Sequence, residues 1–127
     1  MYELWRSGDR TAALELVAED LVIDATQREL NPATYRGRDG VLQMVAETDE
    51  VWETFETRPD RWEAVGDASV VVSGSYVARS RGVELEGEYA EIWTVDAGKG
   101  VHWDLPYASR EAAMAALREA GAEPGED

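Results

Sequence analysis

Val83-Glu84-Leu85-Glu86-Gly87-Glu88-Tyr89-Ala90-Glu91-Ile92-Trp93-Thr94-Val95 alternates without a break. One set of positions carries Val83, Leu85, Gly87, Tyr89, Glu91, Trp93 and Val95. The other carries Glu84, Glu86, Glu88, Ala90, Ile92 and Thr94. A period of two marks a strand with one face on a core and the other toward solvent. The first set turns inward, which leaves Glu91 as the charged group on an otherwise apolar face. A carboxylate placed there must be paired, hydrogen-bonded or held protonated with a raised pKa. These conditions suit a pocket acid and a structural ion pair equally.

The same alternation extends to Arg61–Val65, Ser69–Arg79 and Val101–Leu105. The breaks are Gly66-Asp67, Arg81-Gly82 and Asp96-Ala97-Gly98-Lys99-Gly100. Turn chemistry between alternating runs predicts an antiparallel meander. Upstream the period is helical: Val41, Val45, Trp52 and Phe55 predict one amphipathic helix from Val41 to Phe55. Leu21–Ala25 reads as a strand, and residues 27–38, with Asn31-Pro32 and Arg36-Gly37-Arg38-Asp39-Gly40, read as a loop. Residues 1–6 predict a short helix ended by Ser7-Gly8. Asp9 is placed to cap a second helix carrying Ala13, Leu16 and Val17. Ser109 caps a last helix bearing Met114 and Leu117, closed by Gly121. Helices first, then a run of strands, then one helix is an α+β order. The expectation is a single domain over residues 1–120, its helices packed on a curved, mostly antiparallel sheet around a pocket. Residues 121–127 read as a disordered acidic tail.

Composition narrows the function classes. The chain has 127 residues, 44% of them apolar, with five Trp and five Tyr, enough for one packed interior. Its 27 acidic residues against 12 basic give a formal net charge of −15. Such a surface repels phosphate backbones and anionic lipid, so neither a nucleic-acid nor a membrane partner is expected. No apolar run is long enough to span a bilayer and the N-terminus lacks signal-peptide character, so a cytoplasmic location is the default. Zero cysteines exclude disulfides, thiolate nucleophiles and sulfur-ligated zinc.

Asp24 is a second carboxylate inside an apolar run, Leu21-Val22-Ile23-Asp24-Ala25. It is either a proton acceptor at a cavity mouth or a strand-end Asp that organises the following turn. His102 is the one histidine, and alternation puts it with Asp104 on the outward face, opposite Val101, Trp103 and Leu105. One histidine without cysteine does not build a typical transition-metal site, and no metal or cofactor is expected. The chain has neither a Gly-x-Ser-x-Gly elbow nor a phosphate-binding glycine loop. Tyr2, Trp5, Tyr35, Trp52, Tyr76, Tyr89, Trp93 and Trp103 are candidates for lining an apolar ligand pocket, a role indoles and phenols fill together with core packing.

Several short stretches together resemble the SnoaL-like branch of the ketosteroid isomerase and nuclear transport factor 2-like superfamily, over about residues 1–120. They are Arg6-Ser7-Gly8-Asp9, Leu21-Val22-Ile23-Asp24, Tyr35-Arg36-Gly37-Arg38-Asp39-Gly40 opening the long helix, Val65-Gly66-Asp67, Glu91-Ile92-Trp93-Thr94-Val95, Gly98-Lys99 and Ser109-Arg110-Glu111-Ala112. The resemblance implies a cone-shaped fold around an apolar cavity, often in a homodimer. It puts Asp24 where ketosteroid isomerases keep their general base and Glu91 near their protonated oxyanion donor. Tyr2 lies one position off the spacing of their oxyanion tyrosine, and Trp103, in place of a smaller residue, narrows the cavity. Tyr89, Glu91 and Leu105 stand where limonene-epoxide-hydrolase relatives need an Asp-Arg-Asp set, which disfavours that activity. The expected function is a small-apolar-ligand pocket, with cofactor-independent isomerase or cyclase chemistry using Asp24 as base and Glu91 as hydrogen-bond donor. The alternative is a non-catalytic ligand-binding or dimerisation module. Fold alone does not choose between them.

Overall fold

The computed structural model describes residues 14–26 and 32–119. These form strands β1 (Val17–Ala25), β2 (Ala33–Arg36), β3 (Thr54–Val65), β4 (Ser69–Ser80), β5 (Val83–Asp96) and β6 (Lys99–Tyr107), with helices α1 (Gly37–Val51) and α2 (Arg110–Glu119). The strands make one curved sheet in the order β2-β1-β6-β5-β4-β3. Every pairing is antiparallel except β1 on β6, which is parallel. The helices expected over residues 1–6 and from Asp9 fall largely outside the described residues. Where the second of them was to carry Leu16 and Val17, Leu16 lies in a turn and Val17 opens β1.

The predicted meander forms, and its two tight hairpins share one turn geometry. Ser80 pairs with Val83 and Asp96 with Lys99, leaving two-residue loops. Both loop residues have positive φ in each case: Arg81 at 51° and Gly82 at 80°, Ala97 at 52° and Gly98 at 80°. That is the type I′ turn, whose twist matches the right-handed twist of the strands it joins.

Two expectations about boundaries are corrected. The long helix starts at Gly37 and ends at Val51, so Trp52 is its C-cap and Phe55 belongs to β3. Trp52 turns extended, with its N–H donating to the Thr48 carbonyl at 2.9 Å; the next N–H, of Glu53, donates to the Arg79 carbonyl at 2.8 Å. Thr54, Phe55 and Thr57 suit a pleated surface, and β4 offers them a ladder from Tyr76 to Arg79. Pro59 is accommodated because β3 is an edge strand whose register shifts between Pro59 and Arg61. The second correction is β2, a strand within the expected loop, where Tyr35 is buried against α1. Gly37 follows at φ 72°, a conformation that turns β2 directly into the helix.

Both faces of the sheet are covered. On one, Leu21, Ile23, Ala25, Tyr35, Val72, Trp93 and Trp103 pack with Val41 and Met44 of α1. On the other, Val65, Val71, Ala90, Ile92 and Tyr107 pack with Ala113 and Leu117 of α2. The N-terminus of α2 is capped as expected, Ser109 Oγ accepting from the Ala112 N–H at 3.2 Å. Arg110 then anchors it to β3, with Nη2 donating to Glu63 Oε2 at 2.7 Å and Nε donating to Oε1. Ala90 and Ile92, on the set of positions expected to face solvent, are covered by α2 of the same chain. No helix among the described residues is long and apolar enough to cross a membrane.

Candidate functional site

The face toward α1 is built from alternate residues of β4 and β5. Register places Val70 beside Trp93, Val72 beside Glu91, Gly74 beside Tyr89, Tyr76 beside Gly87 and Ala78 beside Leu85. Cross-strand neighbours share a face, so this surface runs from exposed apolar groups at one end to a closed interior at the other. Leu85 and Phe55 are 45% and 46% exposed, whereas Glu91 is 3% exposed. Tyr76 stacks on Phe55 with ring centroids 6.1 Å apart. It lies over Gly87, where a Cβ would come within 2.9 Å of its ring.

Glu91 sits at the closed end. Trp103 of β6 donates its indole N–H to Glu91 Oε2. The Trp103 ring stacks on Trp93, its partner across β5 and β6, with centroids 4.5 Å apart and planes at 15°. Gly100 makes room for this pair: a Cβ there would meet Trp93 Cε3 and Cζ3 at 2.9 Å. Glu91, Tyr89, Trp93 and Trp103 thus lie on one face, with the two indoles against the α1 core. Glu91 is a hydrogen-bonded buried carboxylate, one of the conditions the alternation demanded.

The other candidates are placed as follows. Tyr35 is buried, its hydroxyl donating to Glu47 Oε1 of α1 at 2.5 Å, so it ties β2 to α1. Trp52 is half-buried at the junction of α1 and β3. Tyr2 and Trp5 lie outside the described residues.

Asp24 is not brought to Glu91. Leu21, Ile23 and Ala25 of β1 point into the α1 core, so Asp24 points to the opposite face, level with Asp104 and through it with Ile92. Its Oδ1 accepts from Thr26 twice, from the backbone N–H at 3.1 Å and from Oγ1 at 2.5 Å. These bonds, with a smaller contribution from His102, hold its carboxyl below the usual carboxylate range. The same bonds tie Asp24 to the turn that follows β1. The cause of the misplacement is register: a run with Asp at its fourth position tells that the residue alternates with Ile23, not which face the ligand side will be.

An open groove of about 430 Å³ lies elsewhere, lined by Glu19, Asp20, Arg36, Gly37, Arg38 and Asp39. Arg38 is fixed at its edge by donating from Nε and Nη2 to the Val17 carbonyl, at 3.3 and 3.0 Å. Its lining is charged, unlike the apolar surface around Glu91. The sequence marked this region as turn chemistry over Arg36–Gly40 and as one of the stretches that carry the family resemblance.

A family model described as a SnoaL-like domain matches residues 1–103. The chain belongs to the SnoaL-like domain family. No curated protein matches the sequence. Among solved structures, this SnoaL-like domain is similar to TerC co-crystallised with polyporic acid, at 22% identity and a TM-score of 0.71 over 93% of this chain and 92% of that one. It is similar to an NTF2-like protein from Burkholderia thailandensis at 25% identity and a TM-score of 0.71, over 91% and 90% of the two chains. A putative polyketide cyclase from Sinorhizobium meliloti is 17% identical with a TM-score of 0.59, over 80% of the SnoaL-like domain and 85% of the cyclase. These likenesses show an NTF2-like fold.

Proposed function

We propose that this SnoaL-like domain binds a small, flat, mainly apolar molecule on the α1 face of the sheet, with Glu91 as the polar contact at the closed end. One observation carries the reading: a carboxylate 3% exposed, held by an indole N–H, at the end of a surface that opens outward through Tyr89, Tyr76, Leu85 and Phe55. Flat apolar groups slide between aromatic side chains, and a single buried acceptor or donor orients them. The polyporic acid co-crystallised with TerC, a protein of similar fold, is the first compound to test.

The non-catalytic binding reading is favoured over the isomerase or cyclase reading that pairs Asp24 with Glu91. Those two carboxylates lie on opposite faces of the sheet, so one substrate does not reach both. A proton-transfer role on the α1 face would have to run through Glu91 itself.

Calorimetric titration with polyporic acid and a panel of planar phenols and ketones tests the reading. At least one compound binds saturably, Glu91→Gln weakens it by about tenfold or more through the lost carboxyl contact, and Asp24→Asn leaves it unchanged. Failure of the whole panel, together with an empty protein in native mass spectrometry after purification, would overturn it. Turnover of a benzisoxazole probe that disappears in Glu91→Gln would assign proton transfer to the same carboxylate.

A further inference from the structure

The face opposite α1 carries a second constellation, which the ligand-pocket reading does not use. His102 and Asp104 are two residues apart on β6, so their side chains leave the same face of the sheet. The parallel pairing of β1 sets Asp24 level with Asp104 and Val22 level with His102. Asp24 therefore joins the other two from the neighbouring strand. One ligand atom from each of Asp24, His102 and Asp104 lies within 4.8 Å of the others, and His102 Nε2 is 3.1 Å from Asp104 Oδ1. An ion bound at bond lengths near 2.1 Å wants its ligands roughly 3 to 4.2 Å apart, so small side-chain rotations close this set around one ion.

We propose that Asp24, His102 and Asp104 bind a single first-row divalent cation, such as Zn²⁺ or Mn²⁺, with its remaining positions open to water. Two carboxylates and one neutral imidazole balance the ion's charge. The nitrogen ligand favours such metals over Mg²⁺ and Ca²⁺, which take oxygen sets. Three surroundings fit the role. Thr26 holds Asp24 by two hydrogen bonds to Oδ1, the outer support that orients a ligating carboxylate, and leaves its second oxygen to bind. His102 and Asp104 have side chains 39% and 29% exposed, which gives an ion access from solvent. Among the described residues neither carboxylate has an arginine or lysine partner that an ion would have to displace. Sequence argued against a metal because one histidine has no cysteine near it; the third ligand comes from a strand nearly 80 residues away, which only the parallel pairing brings alongside.

The chain's net charge of −15 attracts cations everywhere, so the test must report on the imidazole. His102 is the one histidine, and its ring ¹⁵N and ¹H resonances can be followed in the full-length, chelator-treated protein with excess Mg²⁺ present. Zn²⁺ is expected to shift them to saturation at one equivalent, and Mn²⁺ to broaden them selectively. In calorimetry, Asp24→Asn and Asp104→Asn each weaken Zn²⁺ by at least about tenfold, and His102→Gln removes the tight phase, with circular dichroism unchanged. Unmoved imidazole resonances, or Zn²⁺ affinity equal in wild type and Asp24→Asn, would overturn the proposal. The wild-type resonance measurement does not depend on any variant folding.

Discussion

Trp103 serves Glu91 and Trp93 at once: its indole N–H donates to the Glu91 carboxylate while its ring stacks on Trp93 at 4.5 Å. Both contacts cross from β6 to β5, so one side chain ties the two strands to each other and to the buried carboxyl group. Trp103→Phe keeps an aromatic ring but deletes the donor. It should lower unfolding free energy by about 1 to 3 kcal/mol, the range for leaving a buried polar group without a partner, measured by urea denaturation. Glu91→Gln in the same background should then cost less than it does alone, because the two groups are coupled. Additive losses would show that the indole bond contributes nothing to Glu91.

Gly100 permits that stack. With a Cβ placed 2.9 Å from two ring atoms of Trp93, Gly100→Ala forces the indole or the β6 backbone to move. A loss of about 1 to 3 kcal/mol is expected for overpacking. The Trp93–Trp103 exciton signal in circular dichroism should weaken with it. An unchanged signal at unchanged stability would mean the rings have room to spare.

Tyr35 links β2 to α1 through its hydroxyl, which donates to Glu47, itself also accepting from Gln43 at 3.1 Å. Tyr35→Phe leaves the buried ring in place and should cost about 1 kcal/mol, the net worth of one such bond. Hydrogen exchange should rise locally in Ala33–Arg36 and not in β4 or β5.

Acid should loosen α2 before it unfolds the sheet. Arg110 beside Glu63, helped by Arg61 at 2.5 Å, holds the Glu63 carboxyl below its usual range. A depressed acid contributes stability above its unfolded pKa and loses it as pH falls through its folded value. The loss therefore belongs to the region at and below the ordinary carboxylate range, not to neutral pH. Exchange protection of Ala113 and Leu117 amides should fall there, and Glu63→Gln should flatten that dependence while lowering protection at neutral pH. Because the pair is only half-buried and screened by solvent, the neutral-pH effect is small.

Ala97 occupies a type I′ position at φ 52° followed by Gly98 at φ 80°. Left-handed backbone is unfavourable for alanine, and Asn-Gly is the preferred pair for this turn. Ala97→Asn should raise stability by roughly 0.5 to 1 kcal/mol without altering the spectra of the tryptophan pair. A decrease in melting temperature would contradict the turn assignment.

Local order in this chain was legible from residue order because it depends on near neighbours. Strict alternation over Val83–Val95 sorts the residues of β5 into two faces, although α1 and α2 bury both of them from Tyr89 to Trp93. Glycines and turn residues at Gly66, Gly82 and Gly98 end strands by backbone chemistry alone, and Ser109 caps α2 by a bond three residues long. The inward Glu91, the shared face with Trp93 and Trp103, and the outward His102 follow from the same period. What depends on distant partners was not legible. Phe55 continues a helical spacing from Val41, yet it joins β3 because β4 offers a ladder there. Asp24 belongs with His102 and Asp104, not with Glu91, because β1 docks parallel on β6 with Ile23 facing α1. A period of two says that neighbours alternate, but only the docked strand decides which of two faces each set receives, and a shift of one residue would have exchanged them.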